Sequence, residues 1–255
     1  MGSSVSIFGC GWLGVTLSQF LINEGYTVRG TVRSAAAQAN LADKGIEAHH
    51  YDLGLGKIPK PLLDSDYWIF AIPFRRNLVV PDIYRQQCRH FAEEALSYRM
   101  PQKFIFTSST LVYGSDNNWK KESSEEFLPD PRPQILKETE TVFLDSFAEY
   151  AYIFRLAGLY GDGREVSGMR KKSTKSAGPI NLISAVNASQ AILYAIQHQL
   201  RHHIYNIVEP FHPDRKLLEF KNAGELPNSQ IYKIVSSALF REESGLAFPS
   251  TIHLS

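Results

Sequence analysis

The stretch "VSIFGCGWLGVTL", Val5 to Leu17, decides the fold of this chain. A short apolar run leads directly into Gly9, Gly11 and Gly14, and a helical pattern follows at once. From Trp12 to Glu24, Leu13, Leu17, Phe20 and Leu21 recur at helical spacing, and Gly25 stands where a helix would end. The reading is strand, tight turn, helix. In such a unit the first glycine permits the turn, the second lets backbone approach a pyrophosphate, and the third lets helix pack closely on strand. N–H groups at the helix start, here around Trp12 and Leu13, then face the anion. Glycines also mark ordinary turns; what makes this spacing specific is the strand before it and the amphipathic helix after it.

Working outward, strand-length apolar runs recur: "YTVRGTV", "IEAHHYD", "DYWIFAIP", "KFIFTSS", "YAYIFRLAG" and "HHIYNIV". Helical patterns cover Tyr84 to Tyr98, Ile135 to Phe147 and Ser189 to Gln199. Alternation of this kind predicts an α/β fold with a doubly wound parallel sheet, a Rossmann-type domain over residues 1–208. Beyond it the text becomes proline-spaced and short-ranged, so residues 209–255 are expected to form a small C-terminal lobe. Two polar stretches, Ser115 to Pro133 and Gly161 to Pro179, read as surface loops near a site, the second contributing to a substrate side.

Composition narrows the partners. Lys and Arg number 27 against 26 Asp and Glu, so no global field draws the chain to nucleic acid or to an anionic membrane. Met1 to Ser6 carries no basic leader, and no apolar run approaches the ~20 residues needed to span a bilayer. Cys10 and Cys88 are too few for a disulfide framework, which points to a reducing, cytoplasmic compartment. The paired histidines His49, His50, His202 and His203 occupy strand positions that alternate between faces, so no metal site is expected.

The end of the second strand bears on the cofactor. An acid there hydrogen-bonds the ribose 2′-hydroxyl of NAD, whereas an arginine suits the 2′-phosphate of NADP. "VRGTVRS" ends in Val32 and Arg33 with no acid, which favours NADP over NAD; an exposed arginine at a helix entry is the plainer alternative. Asp52 closes the third strand, where a carboxylate can reach an adenine edge or simply form a turn. Arg75 and Arg76, after the fourth strand, and the cluster Arg164, Arg170, Lys171, Lys172 and Lys175 suit phosphate contacts or a solvated surface.

With "FTSSTLVYG" (Phe106 to Gly114) and "FRLAGLYGDGR" (Phe154 to Arg164) added to the glycine turn, "AIP" and "NLISAVNASQAI", nearly the whole chain resembles the extended or atypical short-chain dehydrogenase/reductases. It is most similar there to the NAD-dependent epimerase/dehydratase family. The resemblance implies that Gly9, Gly11, Trp12, Leu13 and Gly14 meet the pyrophosphate, Arg33 the ribose end and Asp52 the adenine, with Ala71, Ile72 and Pro73 lining the cleft. It also implies a catalytic hydroxyl at Ser109 or Thr110, and hydride transfer to or from a nicotinamide assisted by a Tyr-x-x-x-Lys pair. That tyrosine is missing: aligning on Lys137 puts Pro133 in its place, and aligning on Glu140 puts Arg132 there and Leu136 at the lysine position. Lys137 is left to hold the ribose hydroxyls, and Tyr113 is either a substitute acid or a loop anchor. Ala185 and Asn187 stand where relatives often show histidine and aspartate. The expectation is an oxidoreductase or epimerase acting on a small polar or nucleotide-linked substrate; the alternative is a catalytically silent NADP(H)-binding sensor or scaffold. The family also implies a homodimer through the helices after strands four and five.

Overall fold

The computed structural model describes residues 2–74, 82–125, 130–166, 178–214 and 232–252. Arg75, Arg76, Arg170, Lys171, Lys172 and Lys175 lie outside them. All seven apolar runs form strands of one parallel sheet: β1 (Ser4–Phe8), β2 (Thr27–Val32), β3 (Glu47–His50), β4 (Tyr67–Phe70), β5 (Lys103–Ser109), β7 (Ala151–Leu156) and β10 (Ile204–Ile207). Their order across the sheet is β3-β2-β1-β4-β5-β7-β10. The chain therefore builds outward from β1 in one direction, then returns to β4 and builds in the other. That reversal opens a crevice at the carboxyl ends of β1 and β4.

Successive residues of a strand face opposite sides, and β1 shows which helices cover each. Ile7 lies under Gly14 of α1 (Trp12–Asn23), whereas Phe8 meets Phe91 of α4 (Ile83–Tyr98) edge to face. α1 packs with α6 (Ala185–Gln197), and α4 packs with α5 (Pro131–Phe147). The central strands are buried on both faces, as a parallel sheet sandwiched by helices requires.

Aromatic packing sets how far α5 slides along the sheet. Phe147 stacks on Phe104 at 4.0 Å, and one turn earlier Phe143 lies 4.9 Å from Phe106 and from Phe70. Continuing toward the helix start, Glu140 reaches Ser108, which brings Leu136 and Lys137 level with the carboxyl end of β5. α5 begins earlier than the apolar spacing predicts, at Pro131, because Asp130 caps the Arg132 N–H and proline fits the first helical position.

Further elements lie outside the seven-strand reading. α2 (Ala35–Ala42), capped by Ser34, buries only Leu41. α3 (Lys60–Leu63) is a single turn before β4. The polar stretch after residue 115 carries β6 (Trp119–Lys120), which pairs in parallel with β11 (Ile234–Val235) from the C-terminal region. α7 (Ala238–Ser244) follows and inserts Phe240 against Phe154 and Tyr205. A short pair, β8 (Gly158–Tyr160) with β9 (Leu182–Ser184), completes the strands.

Candidate functional site

Packing demands two of the three glycines in the turn. Gly9 has φ +89°, and a Cβ there would sit 2.7 Å from the Ile72 backbone nitrogen, so only glycine lets the turn lie against the end of β4. Its N–H donates to Thr31 Oγ1 at 2.7 Å, pinning the turn to β2. A Cβ on Gly14 would meet Cys10 Sγ at 3.2 Å, the close helix-on-strand contact predicted for the third glycine. Gly11 differs: it is exposed, and its nearest neighbour to an added Cβ is the Gly9 carbonyl oxygen at 4.0 Å. Among the described residues no side chain caps the start of α1. The first N–H groups of a helix lack internal partners, so this surface can accept an anion.

Ala71, Ile72 and Pro73 stand beside it. The Ala71 N–H continues the pairing with Phe8 at 2.7 Å, and Tyr84 donates to the Ile72 carbonyl at 2.8 Å. Cys10, between the first two glycines, is buried; burial pushes its thiol up to about 11, so it packs as a neutral side chain. Trp12 leans outward from the first turn of α1, and Leu13 is buried behind it. The Trp12 indole N–H donates to the Asp162 carbonyl at 2.9 Å, and the Arg164 guanidinium lies 5.3 Å over its ring.

At the far side of the crevice, Arg33 is exposed at the end of β2, and its carbonyl is 3.2 Å from His50 Nε2. Its guanidinium has no hydrogen bond or ion pair among the described residues. Asp52 is half-buried just after β3, in a turn closed by Leu55 N–H on its carbonyl at 2.9 Å.

The residues expected to meet a substrate stand at the carboxyl end of β5. Ser109 Oγ accepts from the Leu111 N–H at 3.2 Å, which leaves its own proton free to donate. Thr110 is buried, and its carbonyl accepts from Lys233 Nζ at 2.7 Å. Lys137 is half-buried on α5, and its ammonium pairs with nothing among the described residues. Pro133 is buried one turn before it, on the same helical face. Tyr113 is withdrawn from this group: it is buried, donating to Asn206 Oδ1 at 2.8 Å and accepting from Arg155 Nη1 at 2.8 Å. Burial pushes its phenol above the ordinary value, against the pull of Arg155.

Arg155 is itself paired to Glu140 at 2.6 Å, with Ser108 on the same carboxylate. This buried chain of Ser108, Glu140, Arg155, Tyr113 and Asn206 joins β5, α5, β7 and β10 beneath the crevice.

No family model matches the chain. "Protein YeeZ" of Escherichia coli K12 is 30% identical to it over 220 residues, which span 84% of this chain and 80% of that protein. The chain belongs to the YeeZ family. Solved structures share the fold of this YeeZ relative at lower identity. One from Methylobacillus flagellatus, provisionally assigned as an NAD-dependent epimerase/dehydratase, matches with TM-score 0.73 at 22% identity, covering 100% of this chain and 95% of its own. Gre2 of Candida albicans, solved with NADPH, matches with TM-score 0.76 at 15% identity, covering 98% and 95%. The doubly wound α/β fold is the one these structures share.

Within this YeeZ relative, the structure brings the turn Gly9–Gly14 together with Ala71–Pro73 at the strand-order reversal, and sets Ser109, Thr110 and Lys137 along the neighbouring carboxyl ends. Asn187 does not face them. It is buried, donating to Glu209 and to the Pro249 carbonyl, both at 2.9 Å. Sequence reading did not find the Trp12, Asp162 and Arg164 contact or the Glu140 and Arg155 pair. A signal for the pair existed, since Arg155 interrupts an otherwise apolar strand and needs a buried partner.

Proposed function

We propose that the chain binds a nicotinamide dinucleotide across the glycine turn, NADP(H) in preference to NAD(H), and that it is an oxidoreductase or epimerase acting on a small polar or nucleotide-linked substrate. The observation that carries the reading is the open face at Gly11, set beside two glycines that the packing demands. The free guanidinium of Arg33 supports the NADP preference, since it is available to a 2′-phosphate. Bound there, the cofactor supplies or takes up hydride. Ser109 and Thr110 orient a substrate oxygen, with the Ser109 hydroxyl as donor, and Lys137 holds the ribose hydroxyls. Asp52 takes the adenine side. The substrate side is assigned to the C-terminal lobe, residues 209–255, with the loop 161–179 contributing, and a second copy docks through α4 and α5.

A second reading, a silent NADP(H)-binding sensor, is favoured by one observation. Pro133 occupies the tyrosine position, and the nearby Tyr113 is locked in hydrogen bonds below the crevice.

Fluorescence titration with NADPH and NADH, on wild type and Arg33→Ala, tests the shared part. The expected result is NADPH binding about tenfold tighter, a preference lost in Arg33→Ala. Failure of both dinucleotides to bind ends both readings. NADPH oxidation across a panel of small carbonyls and keto-sugars then separates enzyme from sensor.

A further inference from the structure

We propose that Tyr160 is a positioning residue: its hydroxyl latches the C-terminal segment Pro249–Thr251 to the turn that holds Trp12 over the glycine-rich loop. The inference rests on reading that loop as the dinucleotide site.

The latch begins at a carboxylate with no solvent exposure. Glu209 follows β10, and among the described residues no cation pairs with it. Its oxygens are satisfied instead by three donors: the Ser184 N–H, Asn187 Nδ2 and the Tyr160 hydroxyl, each at 2.9 Å. An isolated buried carboxylate is tolerated only where such donors are held in place, so this cluster is stiff.

The same side chains grip the C-terminal segment. Asn187 Nδ2 also donates to the Pro249 carbonyl, and the Tyr160 hydroxyl accepts from the Thr251 N–H at 3.2 Å and from Thr251 Oγ1 at 3.3 Å. The segment is aimed there by Phe248, whose φ of +52° turns the chain while its ring stacks on Phe240.

From Tyr160 the connection to the glycine turn is short. Tyr160 ends β8, and the next residue opens the turn Gly161–Arg164, closed by reciprocal backbone bonds of 3.1 and 2.9 Å. Gly161 lies against the Trp12 ring, where an added Cβ would stand 3.4 Å away, and Asp162 accepts the indole N–H. One hydroxyl therefore joins the C-terminal segment to the first residue of the proposed anion-binding helix. Linkage makes the coupling reciprocal: if the segment steadies Trp12, ligand at the helix start must steady the segment.

The test uses full-length protein, NADPH as probe, and the variants Tyr160→Phe and Thr251→Val, the second removing one hydrogen bond with little change of shape. NADPH binding should weaken about fivefold in Tyr160→Phe and about threefold in Thr251→Val, the scale of hydrogen bonds lost from a positioning contact. The Thr251→Val melting midpoint should hold. In hydrogen exchange, NADPH should slow the amides of residues 246–252 in wild type and not in Tyr160→Phe. A structural role alone lowers the midpoint without moving this ligand-linked protection. Unchanged NADPH affinity in both variants, with wild type binding normally, overturns the latch.

If wild type binds no NADPH, the dinucleotide reading fails and the latch is judged without ligand. Faster exchange of the Gly161 and Arg164 amides in Thr251→Val then sustains it, and unchanged exchange overturns it.

Discussion

Two glycines only two residues apart in the opening turn should respond to the same substitution in opposite ways. Gly9→Ala places a methyl at φ +89°, which costs roughly 1–2 kcal/mol for an L-residue. That methyl also lies 2.7 and 2.9 Å from backbone atoms of Ile72 and Ala71, and forcing β4 away adds roughly 1–3 kcal/mol. Together these amount to about 2–5 kcal/mol, or a fall of roughly 5–15 °C in melting midpoint for a chain of this size. Gly11→Ala meets nothing closer than 4.0 Å among the described residues, at an ordinary φ of −85°. Losing glycine at the helix cap costs a few tenths to about 1 kcal/mol, and the smaller freedom of the unfolded chain offsets a similar amount, so stability should hold within about 0.5 kcal/mol. Its methyl instead occupies the path proposed for the pyrophosphate, and an overlap of that kind weakens binding about tenfold to a hundredfold. Thermal unfolding followed by circular dichroism, paired with NADPH titration, reads both effects. Wild-type NADPH affinity in Gly11→Ala refutes a pyrophosphate at the turn, and a wild-type midpoint in Gly9→Ala refutes the close approach to β4.

Glu140→Gln leaves Arg155 charged, buried and poorly paired, and should cost roughly 3–5 kcal/mol in urea unfolding, whereas Glu140→Gln with Arg155→Met should recover much of that loss. Lys137→Ala removes an ammonium that pairs with nothing among the described residues, so the melting midpoint should stay within about 1 °C while NADPH affinity falls severalfold. Burial lifts the Glu122 carboxyl above its ordinary range, against the Asn206 N–H that it accepts. The folded chain then holds this proton more tightly than the unfolded chain, so the contribution is full below the ordinary carboxylate pKa and is lost as pH rises through the raised value. Urea midpoints from about pH 4 to 7 should therefore fall less steeply in Glu122→Gln than in wild type.

The sheet was readable from sequence because each strand is a compact apolar run and burial on both faces demands one. α2 was not, since a helix that buries only Leu41 has no apolar stripe to read; its signal was Ser34, a capping residue ahead of an alanine-rich run. β6 and β11 are two residues each, and they exist through pairing across more than a hundred positions, which no local pattern records. The backbone of the glycine turn was likewise readable, because Gly9 and Gly14 answer local steric needs. The side expected to meet a substrate was readable only as positions. That Tyr113 turns inward depends on Arg155 and Asn206, partners on strands distant in sequence.

The aromatic register of α5 separates scaffold from chemistry. Phe143 and Phe147, seated on Phe104 and Phe106, hold Lys137 level with the end of β5 whatever residue stands at position 133. A protein built this way can exchange the residue at position 133 and keep the backbone around it, because the packing that sets the register lies about three to four turns away, in the core. Its core thus preserves a template on which side chains at the helix start can change one at a time.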